Sequence, residues 1–330
     1  MRKNIKKILV TGGAGYVGAM LVPELIKKGY FVTVLDLMIY GRKVFKKNKK
    51  LKLITGDIRN KKVLNKALRN QDAVIHLACI SNDPSFELNP KLGKSINLDA
   101  FEPLVKISKK VGVKRFIYAS SSSVYGIKKV KNVKEHMKLT PLTDYSKYKA
   151  KCEKILNKYG SDNFIVTTIR PATVCGFSFR QRLDVVVNIL SNLAYHKRKI
   201  TVFGGNQLRP NIHIKDMVNA YLKLIKAPKN KINFEIFNVG GKNQTVLELS
   251  KDVKNVIGKD VKLIKIKSND KRSYHISSEK IRKVLGFKTK YTVKDAANDL
   301  KKAFQKNFFY NPLSNKKYFN IATMQSLKIR

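Results

Sequence analysis

A doubly wound, parallel α/β sheet followed by a smaller, mixed C-terminal lobe is the fold this sequence predicts, on three observations. Short, nearly continuous apolar runs alternate with stretches of helical period through the first half of the chain. That is the pattern of strands buried on both faces and joined by helical crossovers. The first run, Ile8-Leu9-Val10, leads through Thr11 into glycines at 12, 13, 15 and 18 and then into a helical pattern that reaches Lys28. Beyond Pro171 the rhythm changes: loops lengthen around 176–184 and 204–210, and the remaining elements are expected to be shorter and less regular. The chain therefore divides into a dinucleotide-binding segment, 1–176, and a substrate lobe, 177–330, with crossings back to the first segment allowed.

The glycine segment reads as a phosphate cradle. Glycines permit the tight turn and the close backbone approach, and unpaired N–H groups at the start of a helix face an anion. A second strand, 31–35, ends at Asp36, 18 residues beyond Gly18. A carboxylate there takes the two hydroxyls of an adenosine ribose and favours NAD over its 2′-phosphorylated relative. A third strand at 51–54 is followed by Gly56-Asp57-Ile58-Arg59 and a helix to about Leu68. Residues 73–77 form a fourth strand, 96–111 are helical in period, and 116–119 form a fifth strand. A helix from Tyr145 to about Lys158 and a sixth strand at 164–169 complete the first segment.

Composition narrows the function. With 43% hydrophobic residues the chain is globular, and no apolar run approaches the ~18 residues that a membrane span requires. The first seven residues lead straight into a strand and leave no room for a signal peptide. Cys79, Cys152 and Cys175 are scattered without metal-ligand spacing, so a reduced, cytoplasmic setting and no metal are expected. Lys and Arg number 69 against 22 Asp and Glu, a net charge of +47. These charges are spread in pairs such as Lys27-Lys28 and Lys109-Lys110 rather than gathered in an aromatic-interleaved stripe. They read as solvated surface, and a nucleic-acid partner, whose only support is this charge, is not expected.

Chemistry enters at Tyr145-Ser146-Lys147-Tyr148-Lys149. At the start of a helix, residues four apart share a face. A free phenol titrates near ~10, and a neighbouring ammonium lowers that value and makes tyrosine usable as a general acid/base. Ser120-Ser121-Ser122-Ser123 follows the fifth strand directly, at the carboxyl edge where a hydroxyl can donate to a substrate oxygen.

Taken in order, these motifs resemble the extended short-chain dehydrogenase/reductases of the nucleotide-sugar epimerase/dehydratase type, which are built on a Rossmann domain. T-G-G-A-G-Y-V-G at 11–18 resembles that family's cofactor loop and implicates Gly12, Gly15, Tyr16 and Val17. G-D-I-R at 56–59 resembles its adenine-contacting segment, Asp57 and Ile58 here, and H-L-A-C at 76–79 places Leu77 and Ala78 beside the cofactor. Ser-Val-Tyr-Gly at 123–126 closes the serine motif, and Y-S-K-Y-K is the catalytic Tyr-x-x-x-Lys. R-P-A-T-V-C-G at 170–176 resembles the segment bordering the nicotinamide, with Pro171 toward the cofactor and Thr173 toward the substrate. R-P-N-I-H-I-K-D at 209–216 and D-K-R-S-Y-H at 270–275 resemble the motifs whose arginines hold the substrate diphosphate, Arg209 and Arg272 here.

The resemblance implies a catalytic set of Tyr145, Lys149 and Ser121, with NAD as cofactor, a nucleotide-diphosphate sugar as substrate and a homodimer as the assembly. Ser122 and Ser123 stand where the family's 4,6-dehydratases carry Asp and Glu, so the acid/base pair for eliminating water is missing. What remains is oxidation at a sugar carbon and return of hydride to it, an epimerase acting at C4. Lys149 would also hold the nicotinamide ribose, and Ser121 and Ser122 would touch the sugar. A 4-keto-sugar reductase would use the same residues once. Cys79, Cys175, Thr173 and the loop 177–184 depart from the commonest family members on the substrate side.

Overall fold

The computed structural model of the protein describes residues 5–42, 44–81, 83–128, 130, 132–268, 273 and 275–326. Seven strands, all paired in parallel, form the main sheet. From one edge to the other they are Glu235–Val239, Ile165–Pro171, Arg115–Ala119, Ala73–His76, Lys7–Thr11, Phe31–Asp36 and Leu51–Thr55. The six strands read from the sequence are all present. The seventh crosses back from the second half of the chain, and the helix Ile214–Lys226 packs on this sheet as well.

Alternation along the strands divides the core between the two faces of the sheet. Ile8, Val10, Val32, Val34 and Ile117 pack toward one face, with Leu21 and Leu25 of the helix Gly18–Lys27 and Tyr221 and Leu224 of Ile214–Lys226. Leu9, Leu35, Val74, Phe116 and Val166 pack toward the other, against Leu64, Leu104 and Leu156 of three further helices.

Strand order reverses between Lys7–Thr11 and Ala73–His76, where Thr11 lies opposite His76. At such a switch point the two crossovers leave on opposite faces, and a crevice opens beyond the carboxyl ends of the strands.

Two expectations are corrected. The span 96–111 is not one continuous helix: a π-turn, Ser95–Asp99, precedes the α-helix Phe101–Lys110. Pro103 lacks the N–H that would bond the Asp99 carbonyl, and the widened turn takes up that break. It also points Asn97 inward, where its amide donates to the Ile80 carbonyl at 2.9 Å and accepts from the Ile80 N–H at 2.8 Å. The loop after the fourth strand is thereby fastened. The second half of the chain is also more regular than its long loops imply. Val186–Lys197, Ile214–Lys226, Val246–Ile257 and Val293–Gln305 are full-length helices. The smaller lobe adds a mixed sheet of Asn243–Thr245, Leu208–His213 and Thr173–Cys175, and a parallel pair, Lys262–Ile266 with Lys199–Phe203.

Candidate active site

A single cleft of about 590 Å³ opens at the switch point. It brings together Gly12, Gly15, Tyr16, Val17, Asp36, Asp57, Ile58, Leu77, Ala78, Ser121, Ser122, Tyr145, Lys149, Pro171, Thr173 and Arg209. Of the residues singled out from the sequence, Arg272 alone lies outside the described residues.

The floor of the cleft is backbone. Gly12 leaves the first strand at φ +69°, a left-handed conformation suited to glycine, and its N–H donates to the Leu35 carbonyl at 2.8 Å. A Cβ on Gly12 would fall 2.6 Å from the Ala78 nitrogen, so the glycine loop and the loop after the fourth strand touch through it. Within 4 Å, a Cβ on Gly15 would meet only the Gly12 carbonyl oxygen, at 3.1 Å, because its remaining side is the cleft. That is a cradle shaped for a group brought close to the backbone, and it fits a dinucleotide's pyrophosphate.

Asp36 closes one end. Its carboxylate accepts from the Ala14 N–H at 3.0 Å and the Met38 N–H at 2.8 Å. Burial pushes its pKa up, against the pull of those two bonds. Asp57 is gripped by Arg59, whose Nη2 reaches Oδ2 at 2.7 Å. Burial pulls the Asp57 carboxyl up, but the bonds from Arg59 outweigh it and hold the group below its usual range.

At the other end, the helix Asp144–Tyr159 begins at Thr143, whose hydroxyl caps the Ser146 N–H while the Ser146 hydroxyl accepts from the Thr143 N–H. This box fixes the first turn and with it Tyr145. Ser121 caps the short helical turn Ser122–Tyr125 by accepting from the Ser123 N–H at 3.1 Å, and its hydroxyl lies near enough to Tyr145 to pull that phenol's pKa down. Behind both lies a buried network. Arg170 donates to both oxygens of Glu153, at 3.0 and 2.6 Å, and to the Tyr125 hydroxyl at 2.7 Å. The Tyr125 hydroxyl donates on to Asn238, and Ser120 donates to Glu153. The helix Asp144–Tyr159, the sixth strand, the serine turn and the returning seventh strand are locked to one another by these bonds.

The expectation that Lys149 draws down the Tyr145 pKa is not met. Burial drives that pKa upward, and the neighbouring Cys79 and Asp83 add to the effect; Arg182 and the Ser121 hydroxyl pull the other way. The Lys149 ammonium lies 5.8 Å from the Tyr145 ring centre and donates to the Ala119 carbonyl at 2.7 Å. It does press on His76, whose imidazole burial first and Lys149 second push down to about 3. His76 is thus neutral, held by Thr11 Oγ1 at 2.7 Å.

The roof was not assigned from the sequence. The loop 176–184 folds over the glycine loop: the Tyr16 hydroxyl donates to the Gly176 carbonyl at 2.7 Å, and the Ser178 hydroxyl donates to the Tyr16 carbonyl at 2.7 Å. Arg180, Arg182 and Asp184 project from it into the cleft, joined there by Tyr40 and, from the far C-terminal segment, Asn320. Arg182 donates to Asp184 at 2.6 Å and to Ser81 at 3.1 Å. The signal available was the close spacing of two arginines and an aspartate in a loop bounded by Gly176. Asn320 carries no such signal.

The model of the NAD dependent epimerase/dehydratase family matches residues 8–240. The chain belongs to that family. Its members include relatives of nearly full length: the UDP-glucose 4-epimerase of Lactobacillus helveticus is 30% identical over 307 residues, spanning 86% of this chain and 92% of the relative. Among solved structures, the UDP-glucose 4-epimerase of Thermotoga maritima with UDP-glucose superposes with a TM-score of 0.82 at 26% identity, covering 92% of this chain and all of that one. A UDP-glucuronic acid 4-epimerase from Bacillus cereus, in complex with UDP-glucuronic acid and NAD, gives 0.81 at 25% identity over 91% of this chain and 99% of the other. Like these relatives, this member of the epimerase/dehydratase family is an enzyme, and among its described residues no group of His, Cys, Asp or Glu is arranged to hold a metal.

Proposed function

We propose that the protein is a UDP-sugar epimerase that inverts C4 through a transient 4-keto sugar, with NAD held in the same cleft. The observation that carries this reading is the juxtaposition of Tyr145, Ser121 and Lys149 with the Gly12–Gly15 cradle in one cavity. NAD, when bound, supplies the hydride acceptor and donor and carries a positive charge into the cleft. Tyr145 takes the proton of the sugar 4-hydroxyl and returns it, and Ser121 hydrogen-bonds the same oxygen. The buried phenol is held in its protonated form, which suits the return step; the Arg182 charge and the Ser121 hydroxyl favour the phenolate of the first step. Gly12, Gly15, Tyr16, Val17, Asp57, Ile58, Leu77, Ala78 and Pro171 line the dinucleotide, Asp36 takes its adenosine ribose and Lys149 its nicotinamide ribose. Ser122 and Thr173 face the hexose, and Arg209 grips the UDP diphosphate. Arg272, outside the described residues, is proposed for the same role.

In this reading 1–176 carries most of the cofactor site and 177–330 the sugar site, and the protein works as a homodimer in the cytoplasm. Light scattering at micromolar concentration checks the assembly: a monomer would count against it. The activity is tested by incubating the purified protein with UDP-glucose, UDP-N-acetylglucosamine and UDP-glucuronic acid without added cofactor. One of them is expected to give its C4 epimer by proton NMR, and no change in any of them, or water elimination, would overturn the assignment.

A further inference from the structure

Arg180 is a buried cation with an unused donor. Its side chain is 6% exposed, its guanidinium lies 3.4 Å from the ring centre of Tyr40, and its Nη2 donates to the Asn320 side-chain oxygen at 2.6 Å. The Nε–H is buried without any hydrogen-bond partner. An unsatisfied guanidinium N–H inside a protein is costly unless a ligand completes it. Burial pushes the Arg180 pKa down to about 10, which still leaves the group charged at neutral pH. The carboxylates around it do not use the free donor. Asp36 is occupied by two backbone N–H groups, and Asp184 bonds Arg182 and the Asn320 N–H.

Position selects the ligand. The loop that carries Arg180 is tied to the glycine loop through Tyr16, and Arg180 lies close enough to Asp36 to act on its carboxyl. The glycine cradle and the Arg180 guanidinium therefore belong to the same end of one cleft, the first a close backbone approach at Gly12 and Gly15, the second a charged fork. This is the arrangement that phosphate oxygens complete.

We propose that Arg180 is a phosphate-binding residue of the dinucleotide site, closing over the bridging diphosphate from the side opposite the glycine loop. Asn320 of the C-terminal segment is its latch. Besides holding Nη2, Asn320 donates from its backbone to Asp184 at 2.8 Å and from its side chain to Ser81 at 3.0 Å. The helix Asn320–Ser326 thus spans the loop 176–184 and the loop after the fourth strand, and the bound dinucleotide is enclosed beneath it. The assignment rests on the NAD reading above and adds to it a residue and a retention device.

Binding rather than turnover tests this. Dissociation constants for NAD, NADP, ADP, AMP and UDP are measured by calorimetry, and NADH release rates by stopped-flow fluorescence, on the wild type, Arg180→Gln, Arg180→Lys and Asn320→Ala, with thermal melting to show that each variant is folded. Arg180→Gln is expected to weaken NAD and ADP at least tenfold, about 1.4 kcal/mol, and AMP and UDP less than threefold. Arg180→Lys should recover part of the loss, and Asn320→Ala should speed NAD release severalfold. Three results overturn the proposal: NAD affinity unchanged in Arg180→Gln, a loss confined to NADP (a 2′-phosphate contact), or a loss confined to UDP (the substrate's diphosphate). If the wild type itself binds no NAD, the cofactor reading fails before the arginine is in question. Should Arg180→Gln not fold, Asn320→Ala decides, with unchanged NAD release counting against the latch.

Discussion

The floor and the roof of the cleft are built on different principles. The floor is formed by strand ends, the glycine loop and the capped start of the Asp144–Tyr159 helix, held by main-chain bonds and by the buried Glu153–Arg170–Tyr125–Asn238 network. The roof is formed by the loop 176–184 and the segment around Asn320, joined through a few side-chain bonds among Arg180, Arg182, Asp184, Ser81 and Asn320. Such a division predicts that damage to the floor is read in folding and chemistry, whereas damage to the roof is read in ligand retention.

The largest effect on stability should come from the network under the floor. Arg170→Ala leaves the Glu153 carboxylate buried without its cation, the two side chains being only 3% and 5% exposed. A loss of about 3–5 kcal/mol is expected, from the uncompensated charge. Urea denaturation checks it; a loss below 1 kcal/mol would break the claim that the floor depends on this pair. Next in size is Tyr145→Phe, which keeps the ring and removes the proton carrier. Turnover should fall by about 10²-fold or more while NAD stays bound, and near-normal turnover would remove Tyr145 from the mechanism.

A pH effect follows from His76 on the floor. Its folded pKa, about 3, lies below the value of about 6.5 it has when unfolded. Between those values the unfolded chain binds the extra proton, so stability is fully present above pH 6.5 and is lost as pH falls toward 3. The expected contribution between pH 7 and 5 is on the order of 2 kcal/mol. Denaturation midpoints of wild type and His76→Asn should therefore converge on acidification, and parallel pH curves would contradict the burial of a neutral imidazole. The smallest effect belongs to the adenosine end. Asp36 should make NAD bind over tenfold tighter than NADP, about 1.4 kcal/mol, and equal affinities by calorimetry would show that this carboxylate does not set cofactor choice.

Legibility in the sequence follows the same division. Gly12, Gly15, Asp36 and Tyr145 stand out because each serves a local geometry: a turn, a strand end, a helix start. The returning strand Glu235–Val239 was legible only as an allowed crossing, since a strand's neighbours are set by packing rather than by its own residues. The π-turn at Ser95–Asp99 was hidden because the apolar period runs on through it, and the break that Pro103 causes appears upstream of the proline itself. Lys149 was read as a charge beside Tyr145, yet the sign of the Tyr145 shift is decided by burial, which no spacing reveals. Asn320 meets Arg180 across 140 residues and had no local pattern to betray it.

The measurement that bears most directly on the proposed chemistry is the fate of deuterium at C4. A UDP-sugar substrate carrying deuterium on that carbon is incubated with the purified protein, and the epimer is examined by NMR. Removal and return of the same hydride at C4 predicts a product that keeps its deuterium there, with no net reduction of the cofactor. Deuterium lost to solvent or found on a neighbouring carbon, or cofactor reduced one for one with sugar, would contradict it.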